Sequence, residues 1–355
     1  MKYIFVLVGL LLASCTSKAT EESHTILLDN IKNVTLTPND IFTDYKLVPL
    51  ETRKECLIGD ITKIEVYNGM YYILDRQNQK SILAFDGKGK YIKRIGKIGS
   101  GPEEYPQITD FTIDKVNERI IILSPPSIVY LYDLSGKFIM SKDLKISSFE
   151  NISTQGSNVI CYTKHLTYTE GDGAFLIFKF DEKLNLIDKY IPVYQKQLFS
   201  PSTISVPIQG EEENAYVIDA FTHKIYNIGN DVKVYPVQLS NPMPTEKFAD
   251  ASLFMQYMRY YDYIFDAAVL DSTLAFNYIH NGNLYYTATD FNNNIQYSGR
   301  YSGLKPPFMD VVGDTIISYM DVIQYDEYWK DITNYEINDS ICFDDNFLIM
   351  RCRLK

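Results

Sequence analysis

The sequence predicts an all-β protein made of repeated four-stranded units, and three observations carry this prediction. The chain of 355 residues contains 29 Tyr and 19 Phe, residue types that favour half-buried strands. Apolar and polar residues alternate over short runs that end at turn-forming residues, a pattern typical of strands. An aromatic residue followed by a turn recurs about every 47 residues, a period typical of the blades of a β-propeller.

The repeat is clearest where a strand ends in an aromatic residue followed by Asp or Asn. The copies along the chain are Phe85-Asp86, Tyr132-Asp133, Phe180-Asp181, Tyr226-Asn227 and, more faintly, Thr289-Asp290. The fifth copy follows the fourth after a longer interval, which an insertion around residues 241–259 accounts for. In the first unit, Asn68-Gly69 is a strong signal for a hairpin between two of the strands.

The number of blades follows from the length of the chain beyond residue 40. Once the first insertion and a second one near residues 325–335 are set aside, the remaining length corresponds to six periods. Both insertions have helix-like patterns. Residues 347–354 form a last strand, and residues 44–50 form another before the first complete unit. The sequence therefore predicts a six-bladed β-propeller with four-stranded blades, whose ring is closed by the N-terminal strand in the last blade, without an open edge.

The N-terminal segment has the features of a secretory signal. One lysine precedes an apolar run over residues 4–12, which is too short to span a bilayer. The run ends in Leu-Ala-Ser-Cys, which resembles a bacterial lipobox with Cys15 as the acylated residue; the alternative is a plain signal peptide with a chance Cys. We expect a signal peptide over 1–14, a lipidated Cys and tether over 15–40, and the propeller over 41–355. The protein would be lipid-anchored to the outer membrane of the cell envelope, facing the periplasm or the exterior.

Charge and cysteine content narrow the choice of partners. The net charge of −11 argues against nucleic acid, because binding to its backbone depends on clustered Lys and Arg. Four further cysteines follow Cys15, without CxxC spacing: Cys56, Cys161, Cys342 and Cys352. An oxidising compartment permits disulfides, but a chain of this size is stable without them, so we favour free, buried thiols.

Segments within residues 45–114 resemble a known family. They are Leu47-Val48-Pro49-Leu50-Glu51-Thr52, Ile58-Gly59-Asp60-Ile61 and Gly99-Ser100-Gly101-Pro102-Glu103-Glu104-Tyr105. They are similar to segments of the six-bladed propeller lipoproteins of Bacteroidetes, which are in turn similar to NHL-repeat propellers. The family's Gly-Pro-Gly-Glu-Tyr loop has Glu103 here in place of its second Gly. The resemblance implies the fold and the lipid anchor, and it implies no particular activity.

The first candidate site lies on one face of the predicted ring. In propellers, the loops that join strands two and three share a face with the loops that join one blade to the next. This places there two sets of polar residues, Asp75, Arg76 and Gln77 from the first blade and Glu103, Glu104 and Tyr105 from the first inter-blade loop. Carboxylates near an Arg can hold a polar ligand or serve acid–base chemistry. The alternative is a tight turn over residues 99–102 that Glu104 and Tyr105 brace.

The two insertions supply aromatic candidates for the same purpose. Tyr257 and Tyr260 lie in the first insertion, and Tyr328 and Trp329 lie in the second. Exposed aromatic rings beside carboxylates suit a sugar ring or a peptide. The alternative is that both insertions are short helices packed over the ring with their aromatic residues inward.

Three histidines fall near equivalent turns of three consecutive blades, namely His165, His223 and His280. Three imidazoles plus water form a common catalytic zinc site, so these residues are a weak candidate for metal binding. The alternative, scattered surface histidines, is favoured because no two of them have the close spacing typical of metal ligands. No cofactor is predicted.

A basic run, Lys88, Lys90, Lys93, Arg94 and Lys97, lies on or beside an outer strand of the first unit. Its expected role is that of a solvated edge strand, on which lysines discourage aggregation.

These observations favour a binding module over an enzyme. The chain has no HExxH, Walker or GxSxG motif. We predict a lipid-anchored module that binds a glycan, a peptide or an envelope protein through its loop face. The alternative is a lyase or hydrolase with a polar or metal site at the mouth of the central channel.

Overall fold

The computed structural model describes residues 20–29, 32, 34–146, 148–164, 175–193, 207–210, 212–248, 251–302, 307–333 and 345–355. Within them, six antiparallel blades of four strands each form a ring, so the predicted six-bladed propeller is confirmed. The strands before the first complete blade are β1 Thr20–Glu22, β2 Ile26–Leu27, β3 Thr35–Leu36 and β4 Phe42–Pro49.

The first three blades follow in chain order. Blade 1 contains β5 Lys63–Tyr67, β6 Met70–Asp75, β7 Ser81–Phe85 and β8 Tyr91–Ile95. Blade 2 contains β9 Asp110–Asp114, β10 Arg119–Ser124, β11 Ile128–Asp133 and β12 Phe138–Asp143. Blade 3 contains β13 Asn151–Gln155, β14 Asn158–Tyr162, β15 Phe175–Phe180 and β16 Leu186–Pro192.

The last three blades complete the ring. Blade 4 contains β17 Ile208–Gly210, β18 Ala215–Asp219, β19 Lys224–Ile228 and β20 Val232–Gln238. Blade 5 contains β21 Tyr263–Leu270, β22 Thr273–His280, β23 Asn283–Asp290 and β24 Ile295–Tyr301. Blade 6 contains β25 Asp310–Val312, β26 Thr315–Met320 and β27 Leu348–Leu354, with β4 as its fourth strand.

The repeated Asp of the sequence forms the same turn in four blades. Asp86 accepts hydrogen bonds from the backbone N–H groups of Lys88 and Lys90 through one carboxylate oxygen. Asp133, Asp181 and Asp290 make the corresponding bonds in blades 2, 3 and 5. Hydrogen bonds lower the pKa of each carboxyl group. The backbone bonds are the largest cause at Asp86 and Asp181, and the side chains of Ser135 and Asn294 are the largest cause at Asp133 and Asp290. The turn between strands three and four is therefore the physical basis of the 47-residue repeat.

The ring is closed where the sequence analysis placed the closure. β4 pairs antiparallel with β27, from Phe42 opposite Leu354 to Pro49 opposite Leu348. Its apolar residues Leu47 and Val48 are buried, at 3% exposure each. The N-terminal strand is thus the outer strand of blade 6, and the chain closes its own ring.

The chain before β4 also belongs to the propeller, contrary to the tether expected over residues 15–40. β1 and β2 pair parallel with β20 on the outer edge of blade 4, and β3 pairs parallel with β24 on the outer edge of blade 5. Ile26 and Leu28 are buried against these blades. Residues 20–23 are polar and gave no sign of this role, because backbone pairing at a sheet edge needs no apolar side chain.

Side chains on the inner strands link each blade to the next. Carboxylates provide four of the links by accepting backbone N–H groups of the following blade: Glu65 from Ile113, Asp110 from Ile152, Asp266 from Phe308 and Asp310 from Val66. Amide side chains provide the other two, with Gln155 bonded to Glu213 and Ile228 and Gln209 bonded to Ala267 and Val269. Together these bonds fix the walls of the central channel.

Helices are confined to the loops. They are α1 Pro38–Ile41, a 3-10 helix at Thr245–Phe248, α2 Ala251–Tyr257, α3 Val322–Gln324, a π-helix at Tyr325–Trp329 and α4 Lys330–Thr333. The two insertions with helical patterns are therefore helical where the structure describes them. No helix in the described ranges has the length and apolar character needed to cross a membrane.

The hydrophobic core lies between neighbouring blades. One cluster joins Leu74 and Ile82 of blade 1 to Phe111 and Ile122 of blade 2, and comparable clusters join the other pairs of blades. Cys56 and Cys161 are free and buried, as expected, Cys352 is buried, and Cys342 lies outside the described residues.

Candidate binding site at the channel mouth

Two cavities open at opposite ends of the inner strands. The one on the loop face, here called the narrow mouth, has a volume of about 400 Å³ and lies where the inner strands begin. The one on the hairpin face, here called the wide mouth, has a volume of about 850 Å³ and lies where the inner strands end. The loop face carries the loops between strands two and three and between blades, and the hairpin face carries the turns that join strands one to two and three to four.

The floor of the narrow mouth is a buried lysine held by two carboxylates. Lys63 Nζ lies 3.0 Å from Glu65 Oε1 and 3.3 Å from Asp110 Oδ1. It also donates to the backbone carbonyls of Phe111 and Ile152, at 2.6 and 3.2 Å. Burial acts to lower the pKa of Lys63, but Asp110 and Glu65 outweigh it and raise this pKa above its usual value. Lys63 therefore stays charged and ties blades 1, 2 and 3 together.

Above this floor, opposite charges from blades 1 and 3 face each other. Glu150 precedes β13, Lys164 follows β14, and Arg76 follows β6. Burial raises the pKa of Glu150, and Lys164 and Arg76 act against it. Burial lowers the pKa of Lys164, and Glu150 and Asp110 act against it. A carboxyl group and an amine whose pKa values are shifted towards each other in one cavity are typical of functional sites.

The remaining wall of the narrow mouth is mostly polar. It is lined by Asp60, Thr62, Thr109, Asn151 and Tyr319, with Ile61, Pro307 and Met309 as the apolar part. The Tyr319 ring is held edge-on by Phe347, at 5.3 Å between centroids. Three basic and three acidic side chains therefore surround a cavity that also offers hydroxyl groups and one aromatic ring.

The wide mouth contains an unusual carboxyl group. Burial and the nearby Glu65 carboxylate raise the pKa of Asp310 to about 7, although Lys115 and the N–H groups of Val66 and Val311 act against this shift. Asp310 accepts the Val66 N–H at 2.8 Å and so belongs to the inter-blade links. Its proton is therefore coupled to the contact between blades 6 and 1.

Asp310 predicts a specific pH dependence of stability. Because the folded state holds its proton more tightly than the unfolded chain, the free energy of unfolding should fall as the pH rises from about 4 to about 7. The slope should stay below about 1.4 kcal/mol per pH unit, since a single proton is exchanged. Denaturant titrations between pH 4.5 and 8 measure it. Asp310→Asn should flatten the curve relative to the wild type, and two parallel curves would contradict the assignment.

Of the first loop candidates, only Arg76 reaches the narrow mouth. Asp75 is fully buried and accepts four backbone N–H groups, from Gly59, Gln77, Asn78 and Gln79. Gln77 is exposed and is not among the residues that line the cavity. Asp75 therefore shapes the turn that presents Arg76.

The inter-blade loop is the tight turn that the sequence analysis gave as the alternative to a binding site. Glu104 accepts the N–H of Gly101 at 3.0 Å and pairs with Lys97 at 2.9 Å. Tyr105 is buried under this turn, and a Cβ at Gly96 would lie 2.6 Å from its ring. Glu103 is exposed, and its carbonyl accepts the Tyr132 hydroxyl. Glu104 and Tyr105 thus brace the loop, and none of the three lines the narrow mouth.

The aromatic candidates divide into exposed and buried residues. Tyr260 and Tyr328 are 60% and 47% exposed, and Tyr257 is partly exposed beneath the ammonium group of Lys247. Trp329 is 1% exposed and packs edge-on against Tyr45 of β4 at 5.7 Å. Trp329 therefore contributes to the core and presents no surface to a ligand, because the helical segment turns its ring inward.

The structure describes two of the three candidate histidines, His223 and His280. His280 Nδ1 lies 2.9 to 3.0 Å from the carboxylate oxygens of Asp262. His223 lies nearby in blade 4, and burial lowers its pKa against the influence of Asp219 and Asp262. No group of three metal-binding side chains occurs among the residues that the structure describes. His165 lies outside them, so the three-histidine site stays a prediction.

Sequence reasoning missed five charged residues of the narrow mouth: Asp60, Lys63, Asp110, Glu150 and Lys164. A signal existed for two of them. Lys63 and Asp110 stand inside apolar strands at equivalent positions of consecutive blades, about 47 residues apart. Charges repeated on inner strands indicate residues that face the channel, because both faces of a blade are packed against its neighbours.

Fold and site together define a six-bladed β-propeller with a charged, polar cavity at one mouth of its channel. The sequence of residues 24–350 matches a family model, and the chain belongs to the family described as "Domain of unknown function (DUF4934)". No curated protein is detectably similar to the chain in sequence.

Two solved structures share this fold. One is a protein from Bacteroides fragilis NCTC 9343 that bears the name "Putative exported protein"; it is 18% identical, and the match covers 95% of this chain and 99% of that one with a TM-score of 0.71. The other is a member of the DUF4221 family from Bacteroides vulgatus ATCC 8482; it is 9% identical, with 89% and 98% covered and a TM-score of 0.58. At these identities the likeness shows the fold alone.

Proposed function

We propose that the protein is a binding module of the cell envelope that holds a short polar segment of a glycan or a peptide at the narrow mouth. One observation carries this proposal: four blades bring basic, acidic, hydroxyl and aromatic side chains to a single cavity of about 400 Å³. Ligand sites in proteins are concave and contain a small number of converging polar groups, and this cavity has that form.

Each part of the cavity has a chemical use. Arg76 is the most accessible of the cations and can donate bidentate hydrogen bonds to a carboxylate or to paired hydroxyl groups. Glu150 and Asp60 can accept from hydroxyl or amine groups. Tyr319 offers a ring face and a hydroxyl beside them. A ligand with several hydroxyl groups, or with an amine and a carboxylate, matches this balance of charge.

The loop face can extend the contact with a longer ligand or an envelope protein. Tyr257, Tyr260 and Tyr328 lie in the two insertions on this face, and the last two are exposed. Rings in such positions add apolar area at little cost in side-chain entropy. The narrow mouth would set the chemistry of recognition, and the aromatic loops would add area.

A ligand screen tests the proposal. Envelope oligosaccharides and short peptides are added singly to the purified protein, and the melting temperature is measured. A ligand of the folded state should raise the melting temperature in a concentration-dependent way. Failure of every neutral, acidic and amino sugar and of every peptide to change it would reject a small-ligand function.

The envelope location is part of the same proposal. It is supported by the signal-like segment before Cys15 and by the name of the fold relative from Bacteroides fragilis. A net charge of −11 is consistent with the absence of a nucleic-acid partner. The membrane contact would then depend on lipid attached at Cys15.

Replacement of the acylated thiol tests the anchor. Cys15→Ser should move the protein from the membrane fraction to the soluble fraction, or leave an uncleaved precursor, because each buried methylene of an acyl chain contributes about 0.8 kcal/mol. Ser14→Ala is a matched control, since it keeps a small residue and the thiol. Membrane fractionation and mature mobility that are the same for Cys15→Ser and wild type would contradict the anchor.

A lyase or hydrolase is the second candidate, and one observation favours it. Glu150 and Lys164 are an acid and a base with pKa values shifted towards the physiological range inside the narrow mouth. If the cavity performs proton transfer on a bound glycan, Glu150→Gln should abolish product formation even at a saturating concentration of the glycan. If the wild type binds the glycan without forming a product, the protein is a binding module and not an enzyme.

A further inference from the structure

The outer strands of blades 1, 2 and 3 carry exposed apolar residues at one end. Here we call them the apolar rim: Ile92, Ile139, Met140, Leu186 and Ile187, which are 42% to 53% exposed. All of them are among the first three residues of β8, β12 or β16, directly after the turn between strands three and four. They therefore occupy equivalent positions around half of the ring, next to the hairpin face.

The outer edges of blades 4 and 5 are covered by N-terminal strands, whereas those of blades 1 to 3 are not covered by a described strand. β1, β2 and β3 lie along the outer edges of blades 4 and 5, and β4 is itself the outer strand of blade 6. β8, β12 and β16 are the last strands of their sheets, with no further strand paired among the described residues. Exposed apolar residues that recur at the same position of three neighbouring outer strands indicate a surface that is covered in use.

Charge near the apolar rim suits an anionic surface. In a chain of net charge −11, residues 86–95 of blade 1 contain Lys88, Lys90, Lys93 and Arg94 against Asp86 alone. Lys88 and Lys90 are exposed, so the basic excess lies in blade 1. Lys137 and Lys183 are exposed in the corresponding turns of blades 2 and 3, which also contain Asp133, Asp181 and Glu182. Lysines beside exposed aliphatic side chains are typical of surfaces that rest on lipid headgroups.

The register of β1 places the start of the described chain at the same rim. Thr20 pairs with Val232, which is the first residue of β20 and follows the turn between strands three and four of blade 4. Cys15 precedes Thr20 by five residues, which span at most about 18 Å. A lipid on Cys15 would therefore hold the ring by the hairpin side of blade 4, the neighbour of blade 3.

We infer that the hairpin side of blades 1 to 3, with the apolar rim and its lysines, rests on a lipid surface beside the anchor. This inference rests on the proposed membrane attachment and adds an orientation to it. The bilayer then lies against the hairpin face and the wide mouth. The narrow mouth and the aromatic loops point away from the membrane, where a soluble ligand can reach them.

Site-specific labelling tests the orientation. A His tag replaces residue 15 and binds the chain to vesicles of phosphatidylcholine and phosphatidylglycerol that contain a nickel-chelating lipid. Single cysteines are introduced at Ser135 in the turn of blade 2 and at Gln256 on α2, both exposed. A bulky water-soluble maleimide labels them, and peptide mass analysis measures the rate at each site. Vesicle binding should slow labelling at residue 135 at least about fivefold and leave residue 256 within about twofold.

Variants of the apolar rim supply the control. Ile139→Asp with Ile187→Asp should restore labelling at residue 135 on vesicles, whereas Ile323→Asp on the loop face should not. Equal labelling of residue 135 on and off vesicles, or selective protection of residue 256, would overturn the orientation. Protection of residue 135 that grows with protein concentration without vesicles would assign the rim to a second copy and also overturn it. Because the tag replaces the lipid, the result does not depend on acylation of Cys15, which fractionation tests separately.

Discussion

Deletion of residues 41–52 should abolish cooperative folding of the propeller. The segment contains β4, and its buried side chains Phe42, Leu47, Val48 and Leu50 are at most 4% exposed. Each contributes about 1.5 to 3 kcal/mol when buried, and together they approach the whole folding free energy of an ordinary domain. The deletion also opens the backbone edge of β27, which pairs with β4 over its length.

A point variant tests the packing of β4 without removing any backbone. Leu47→Asp should destabilise the protein strongly, because it places a charge in the core between blades 5 and 6. Lys46→Asp is the matched control, since Lys46 is exposed on the same strand and should change stability little. Chemical denaturation followed by circular dichroism measures both. A deleted protein that unfolds at the same midpoint as the full chain would show that β4 does not close the ring.

Trp329→Ala should cost about 3 to 5 kcal/mol of stability, the range for removal of a large buried aromatic side chain. Trp329 packs with Tyr325 in the cluster between blades 5 and 6 and contacts Tyr45 of β4. Its loss would leave a cavity beside the closing strand. The second insertion would thereby be shown to stabilise the ring closure.

The neighbouring residue is the control for this variant. Tyr328 is 47% exposed in the same π-helix, so Tyr328→Ala should shift the unfolding free energy by less than about 0.5 kcal/mol. Equal midpoints for Trp329→Ala and wild type would mean that the tryptophan is not part of the core. Trp329→Phe should recover part of the loss, because a smaller ring fills part of the cavity.

The fold could be predicted from the sequence because the same Asp-containing turn recurs in several blades. The Asp of each turn between strands three and four fixes backbone N–H groups within four residues, so its spacing reports the blade period directly. Ring closure could be predicted because the last unit of the sequence has only three strands, so a fourth must come from the N-terminal part of the chain. β1 to β3 were not predicted, since they pair in parallel with β20 and β24 through backbone groups and their few apolar residues, such as Ile26 and Leu28, form no strand-length pattern.

The site was harder to predict from the sequence because its residues come from separate blades. Arg76 was identified from its loop, but Glu150 and Lys164 gain meaning only from their closeness to each other and to Asp110. Trp329 was a candidate for ligand binding because, in sequence, an aromatic residue in an insertion fits a ligand contact and a core contact equally well. The direction of its ring decides between them, and that direction depends on the turn of the helix.

Calorimetric titration of the Arg76→Ala variant tests the central claim, that the narrow mouth is the binding site. The ligand is the one selected by the melting-temperature screen. Removal of one charge-assisted contact should weaken its affinity about 10- to 100-fold, because such a contact contributes about 1.5 to 3 kcal/mol. Tyr260→Ala, on the same face but outside the cavity, should weaken it less. Unchanged affinity in Arg76→Ala together with lost affinity in Tyr260→Ala would place binding on the aromatic loops and contradict the account.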